Sequence, residues 1–250
     1  MLEIYILIFA LAFIMEYLDD TVGMGFGTGM VPILLILGFH PLQVVPIVLL
    51  STLITGFLAG GAHWRVGNVD FSLGGRPLKI VALLAAMGII GTTVAVVIAV
   101  NLPEQYLRIY IGLVAIAMGV LVMVKKGRGA FSWLKLSAFG LFAAFNKGIT
   151  GGGYGPPVVG GQILSGVNEK RAVGITCLAE GIVALVAALL YFELDPEISW
   201  ELAPFVIGGA VLSVPFAALT VKRVKTERLV LAMGVVMIVL GVAAALGVGA

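Results

Sequence analysis

The stretch "NKGITGGGYGPPVVGG" (residues 146–161) interrupts a long apolar run with glycines, two prolines and one lysine. A second stretch of the same character, "LDDTVGMGFGTG" (18–29), interrupts the apolar region near the start of the chain. Glycine at such breaks allows positive φ and close approach of one backbone to another. Proline is harmless in the first turn of a helix that restarts after the break, which suits Pro156 or Pro157. The two regions around these breaks, 2–38 and 133–165, therefore read as broken helical hairpins.

The setting is a bilayer. Of the 250 residues 61% are hydrophobic and 11% charged, and the mean hydropathy is +1.16, far outside the range of a soluble domain. A net charge of +2 is too small to argue for a nucleic-acid partner. The single cysteine, Cys177, excludes internal disulfides. The first apolar stretch has no basic n-region and no cleavage-like exit, so it is expected to be retained. Six further stretches are long enough to cross a hydrocarbon core of about 30 Å as helices: 44–62, 78–100, 105–124, 171–192, 202–220 and 229–248.

Lysine and arginine set the expected sidedness, because cytoplasmic loops collect them. Thirteen of the fifteen fall in four clusters: Arg65, Arg76 and Lys79; Lys125, Lys126, Arg128 and Lys135; Lys170 and Arg171; Lys222, Arg223, Lys225 and Arg228. The segments "NLPEQ" (101–105) and "ELDPEISWE" (193–201) carry acids and no base. Placing the basic clusters inside and the acidic segments outside connects every span without conflict, and leaves both termini external. The expected location is the cell membrane, a bacterial or archaeal inner membrane.

The breaks also resemble each other. "GFGTGMVPILLILGFHPLQVVPIVLLST" (25–52) can be laid on "GGGYGPPVVGGQILSGVNEKRAVGITCLAE" (151–180) with two residues inserted in the second, so that Gly27 meets Gly153 and Thr52 meets Glu180. The chain then divides into two halves, 1–125 and 126–250. The charge pattern brings the first hairpin in from outside and the second from inside, as inverted-topology repeats require. The expected fold is an all-α integral membrane protein. Each of its two inverted repeats would be a broken or re-entrant hairpin followed by three transmembrane helices.

Backbone that leaves a helix inside a membrane must be buried in protein or line a wet cavity. The return arms, 30–38 and 156–165, are about 15 Å long at 1.5 Å per residue, half the core. Their tips should meet near the midplane, where transporters of this design hold substrate. Helices that start there direct free N–H groups and positive dipole ends at the occupant, and Lys147 adds a full charge. The expected binding residues are Gly27, Thr28, Gly29, Ser51, Thr52, Asn146, Lys147, Thr150, Gly151, Gly152, Gly153, Tyr154 and Cys177. The expected ligand is a small anion. Glu180 and Asp20 are candidates to carry a coupling proton, since an acid at mid-depth is expensive. Structural readings stand beside these: Lys147 neutralising Asp19 or Asp20, Glu180 bridging to Lys147, Ser51 and Thr52 bonding between helices, and Cys177 as a packing residue.

With those residues in view the chain resembles the TauE/SafE family of sulfite and sulfonate exporters, essentially throughout. The resemblance rests on "GMGFGTGMVPILLILGFHPLQVVPIVLLSTLITG" (23–56), "HWRVGNVDF" (63–71) and "FNKGITGGGYGPPVVGGQILSGVNEKRAVGITCLAEG" (145–181). It implies carriage of small anions, commonly sulfur oxyanions, organosulfonates or related carboxylates, by a duplicated helical bundle. One departure is "GGGYGPP", where family members more often carry a smaller residue and one proline. A secondary carrier working by alternating access is the leading expectation, with proton coupling through Glu180 or Asp20. An anion channel of the same fold and a subunit without independent transport activity are the alternatives. No H-E-x-x-H, G-x-S-x-G or other catalytic set is present, so no enzyme activity, cofactor or metal is expected. The expected partners are the anion and the lipid bilayer, and a homo-oligomer is compatible with the sequence.

Overall fold

In the computed structural model, residues 2–124, 129–194, 198–223 and 227–248 are described, and every regular element among them is helical. The helices are α1 (Leu2–Val22), α2 (Phe26–Ile36), α3 (Pro41–Arg65), α4 (Arg76–Ala99), α5 (Glu104–Met123), α6 (Trp133–Thr150), α7 (Gly155–Leu164), α8 (Glu169–Leu194), α9 (Ala203–Arg223) and α10 (Glu227–Ala245). Five of them, α3, α4, α5, α8 and the segment Trp200–Arg223 that ends in α9, are long and apolar enough to cross a membrane. The sixth expected span is α10, in which Leu229–Ala245 forms a shorter apolar helix. Of the basic clusters, Lys125, Lys126, Arg128, Lys225 and Arg228 lie outside the described residues or side chains, as does the boundary between the two halves.

Local chemistry places the ends. Gly23 and Gly151, with φ of 80° and 70°, stop α1 and α6. Gly25 and Gly153 (135° and 74°) turn the chain into the return arms, and Gly38 and Gly166 (92° and 75°) end those arms. Left-handed backbone of this kind is where glycine costs least. His40 then opens α3 with a reciprocal cap to Gln43 and Pro41 in the first turn, while Ser132 caps α6 by accepting from Lys135 N–H at 3.3 Å.

These glycines recur at a constant offset of 128 residues. An ungapped comparison at that offset sets Gly27 on Gly155, Phe26 on Tyr154 and Asp19 on Lys147. Thr52 still corresponds to Glu180.

The hairpin arms are unequal. With 21 residues α1 is roughly 31 Å long. It runs alongside α9 in the same direction, from Tyr5 stacked on Phe205 (4.7 Å) to the Tyr17 hydroxyl 2.9 Å from Thr220 Oγ1. The return arm α2 has 11 residues, about 16 Å. In the second hairpin α6 runs along α4 in parallel, with Thr92 Oγ1 donating to Ala144 O at 3.2 Å, and α7 has 10 residues. Each hairpin is thus a long helix followed by a half-length one.

Small residues let backbones approach where helices cross, as in other membrane bundles. A Cβ on Gly56 would stand 2.7 Å from Gly181 Cα, where α3 and α8 cross antiparallel. Antiparallel α5 and α10 touch through Gly112 against Gly241 and Gly119 against Gly234. At one end of the bundle Lys170 Nζ donates to Lys222 O at 2.9 Å and the Arg76 guanidinium lies 4.8 Å from the Phe131 ring centre. The acidic residues Glu104 and Glu201 lie at the other end, where α1 begins and α10 ends.

Candidate functional site

The two tips pass each other in the centre of the bundle, and the crossing is a backbone contact. A Cβ on Gly27 would collide with the Gly151 carbonyl, and one on Gly152 would collide with the Gly27–Thr28 backbone. A Cβ on Gly155 would likewise meet Gly23 and Met24. No side chain fits between these strands of main chain, so glycine is required at the crossing. Every residue from Thr21 to Leu35 and from Asn146 to Gln162 is buried.

Much of the amide supply is used within the crossing. Gly153 N–H donates to Thr28 Oγ1 at 2.8 Å, and Gly152 N–H to Thr150 Oγ1 at 3.1 Å. Thr150 in turn donates to Asn146 O at 2.9 Å, and Thr52 to Val48 O at the same distance. Asn146 is fixed by the Tyr110 hydroxyl, 2.9 Å from its Oδ1. Pro156 and Pro157 carry no N–H, so α7 offers fewer donors at its start than α2 does. Gly29 N–H is returned to Gly25 O at 2.8 Å. The tip hydroxyls and amides thus hold the crossing together, and the hydroxyls of Tyr154 and Ser51, both fully buried, have no hydrogen-bond partner among the described residues.

Charge at the crossing is concentrated in one pair. Lys147, with no exposed surface, donates to Glu180 Oε1 at 2.7 Å and more weakly to Gly151 O at 3.4 Å. Between Asp19, Asp20 and Glu180 as its partner, the structure selects Glu180. The pair joins the second tip to the middle of α8. Asp20 lies beside Cys177, whose thiol is 3.6 Å from Asp20 Oδ1. Asp19 and Glu16 complete a buried polar layer on the last turns of α1. The candidate residues Gly27, Thr28, Lys147, the 150–154 tip, Cys177, Glu180 and Asp20 are thus drawn together from α1, α2, α6 and α8.

Several supports escaped the sequence reading. His63 Nε2 sits 3.1 Å from Asp20 O, and Asn68 Nδ2 is 2.9 Å from His63 Nδ1 and 3.1 Å from Ala218 O. The Asn68 amide can only donate, so Nδ1 accepts and Nε2–H donates to Asp20 O. This ties the first tip to α3 and α9. Tyr191 donates to Gly148 O at 2.8 Å and steadies the second arm. Arg108 donates to Phe39 O (3.0 Å) and Leu35 O (3.5 Å) at the carbonyl end of α2, and Glu104 holds it at 2.7 Å. Only the "HWRVGN" run could have signalled any of these.

Comparison with known proteins agrees with this architecture. The chain is 25% identical over 223 residues to the probable membrane transporter protein YtnM of Bacillus subtilis (strain 168), a match covering 83% of this chain and 71% of that protein. The model of the sulfite exporter TauE/SafE family matches residues 8–244, from the first helix through the last. A match of that extent over a helical membrane bundle decides the assignment: the chain belongs to the TauE/SafE family.

Proposed function

We propose that this protein is a secondary transporter that carries small anions across the cytoplasmic membrane by alternating access. Sulfur oxyanions and organosulfonates head the candidate substrates. One observation carries the reading: Lys147 is wholly buried at the crossing of two broken hairpins and satisfied by a single carboxylate, Glu180, at 2.7 Å. A substrate sulfonate or sulfite oxygen offers the same charge and hydrogen-bond acceptors, so it can replace that carboxylate. Glu180 released from Lys147 is the acid we assign to the coupling of anion movement to proton movement. The family membership and the name of the Bacillus relative support transport as the activity.

Alternating access follows from inverted repeats, which we infer from paired features. α3 crosses its counterpart α8 antiparallel, and α5 crosses α10 antiparallel. Gly27 against Gly151 is matched by Gly155 against Gly23 under the same exchange of halves. Rocking one half against the other about this crossing would open the site to each face in turn.

The test is flux into proteoliposomes with sulfite, thiosulfate, sulfonates and small carboxylates, with and without a pH gradient. Saturable uptake with counterflow is expected, abolished in Lys147→Ala. Breaking a buried pair by removing one partner costs about 3–5 kcal/mol, so Lys147→Ala combined with Glu180→Gln serves as the folding control. Normal transport by either folded variant removes Lys147 from the site, and current that follows voltage without counterflow identifies a channel instead.

A further inference from the structure

The anion site leaves three buried carboxyl groups unused. Glu16, Asp19 and Asp20 follow at i, i+3 and i+4 and share one face of α1. Their residues are 1%, 6% and 2% exposed, and one oxygen from each lies within 4.8 Å of the others. Three carboxylates this close and this dry cannot all hold their charge without a counter-charge. Lys147 does not suffice: its ammonium lies near enough to act on Glu16 and Asp19 but is ion-paired to Glu180 at 2.7 Å, leaving one cation for four acids. His63 faces the Asp20 backbone carbonyl, not its carboxylate.

Separately from the clustering, acceptor capacity is left over. Glu16 Oε2 and Asp20 Oδ2 have no hydrogen-bond partner among the described residues. The Ser51 hydroxyl on α3 is also fully buried and unpartnered. It lies one turn from Thr55, whose own hydroxyl is within hydrogen-bonding reach of Glu16. In a packed interior an unpaired acceptor is costly, and an unpaired carboxylate oxygen beside two other buried acids calls for a donor or a cation.

We propose that Glu16, Asp19 and Asp20 bind a hard, oxygen-liganded cation of sodium or calcium size. All three donors are carboxylate oxygens, which select hard ions over soft ones. Three oxygens within 4.8 Å of one another can surround a single ion at about 2.8 Å or closer, a reach that includes the roughly 2.3–2.6 Å of calcium. The site also lies at the carbonyl end of α1, the negative end of that helix dipole. Broken helices of transporters place coupling cations at such ends. Binding itself is independent of transport; a role in coupling, beside the Lys147–Glu180 pair, rests on the reading of the chain as a carrier.

The experiment is thermal unfolding of the purified full-length protein, followed by tryptophan fluorescence after removal of sodium and divalent ions. Sodium, potassium, choline, calcium and magnesium chlorides are compared at equal ionic strength and fixed pH. A saturable rise in Tm with sodium or calcium over choline is expected, and which of the two acts identifies the ion. Glu16→Gln and Asp20→Asn should each weaken that response by at least the roughly 10- to 100-fold that loss of a supporting residue costs a metal site. Identical melting in every salt, with stability moved by pH alone, would overturn the proposal in favour of protons. So would a cation response unchanged in both variants. The wild-type comparison among salts decides even if the variants do not fold. Anion flux without a cation response would sink the cation site and leave the carrier standing, and a cation response without flux would do the reverse.

Discussion

Gly27 has no room for a methyl group. Its Cβ would fall on the Gly151 carbonyl, which is main chain and cannot rotate away. Gly27→Ala should therefore lower stability by about 1–3 kcal/mol, the usual cost of overpacking, measured as a drop in Tm. Unchanged stability would mean that the tips are not in backbone contact. Thr28 is a different case, because its hydroxyl oxygen accepts from Gly153 N–H at 2.8 Å. Thr28→Val keeps the shape and leaves a buried amide unpaired, at about 1–3 kcal/mol, whereas Thr28→Ser should restore most of the loss. At this scale the sequence offered a Lys147–Glu180 bridge as one pairing among several, beside Asp19 and Asp20, and the structure shows that bridge. Glycine and lysine inside apolar runs are conspicuous. That Lys147 meets Glu180, 33 residues on, depends on how α6 and α8 pack, and no local pattern encodes it.

The return arm α2 is short, broken at its start and held at its end by a side chain from another helix. Arg108 donates to Phe39 O, in the loop beyond α2, and to Leu35 O at its close, where Gly38 N–H also donates at 3.1 Å. A cation there also complements the helix dipole. Arg108→Met should loosen the arm by about 1–2 kcal/mol, seen as faster hydrogen exchange over 26–39 while exchange in α8 is unchanged. Uniform exchange in variant and parent would show that α2 is held by packing alone. The hairpins were legible as elements, since glycine, proline and charge punctuate an otherwise continuous hydropathy signal. Their unequal arms were less so, because the acids of α1 masked a helix long enough to run the length of α9. The ungapped register was hidden for a similar reason: glycines are so frequent that several alignments match some of them, and only backbone φ separates the pairs that turn the chain.

The whole bundle gathers most of its described lysines and arginines at one end. Arg65, Arg76, Lys79, Lys135, Lys170, Arg171, Lys222 and Arg223 belong to one end of the helices, and Glu104 and Glu201 to the other. The positive-inside rule predicts that the first end is cytoplasmic. Single cysteines placed at Lys79 and Lys170 in a Cys177→Ser background should be labelled by impermeant reagent from that same side. Labelling from opposite sides would break the pairing of the halves. The class of the fold followed from composition and spans alone, and the central polar layer followed in outline from intramembrane charges. The cluster of acids in that layer did not, because Asp19 and Asp20 read as candidate partners of Lys147 and Asp20 as a proton carrier, while the approach of Glu16 to both depends on the burial of α1.

Equilibrium binding of sulfite to the purified protein tests the account most directly, comparing the parent with Lys147→Ala and Glu180→Gln. If the anion displaces the Glu180 carboxylate, Glu180→Gln retains or tightens binding and Lys147→Ala weakens it by at least about tenfold, the equivalent of 1.4 kcal/mol. Equal affinity in the parent and a well-folded Lys147→Ala would contradict the account.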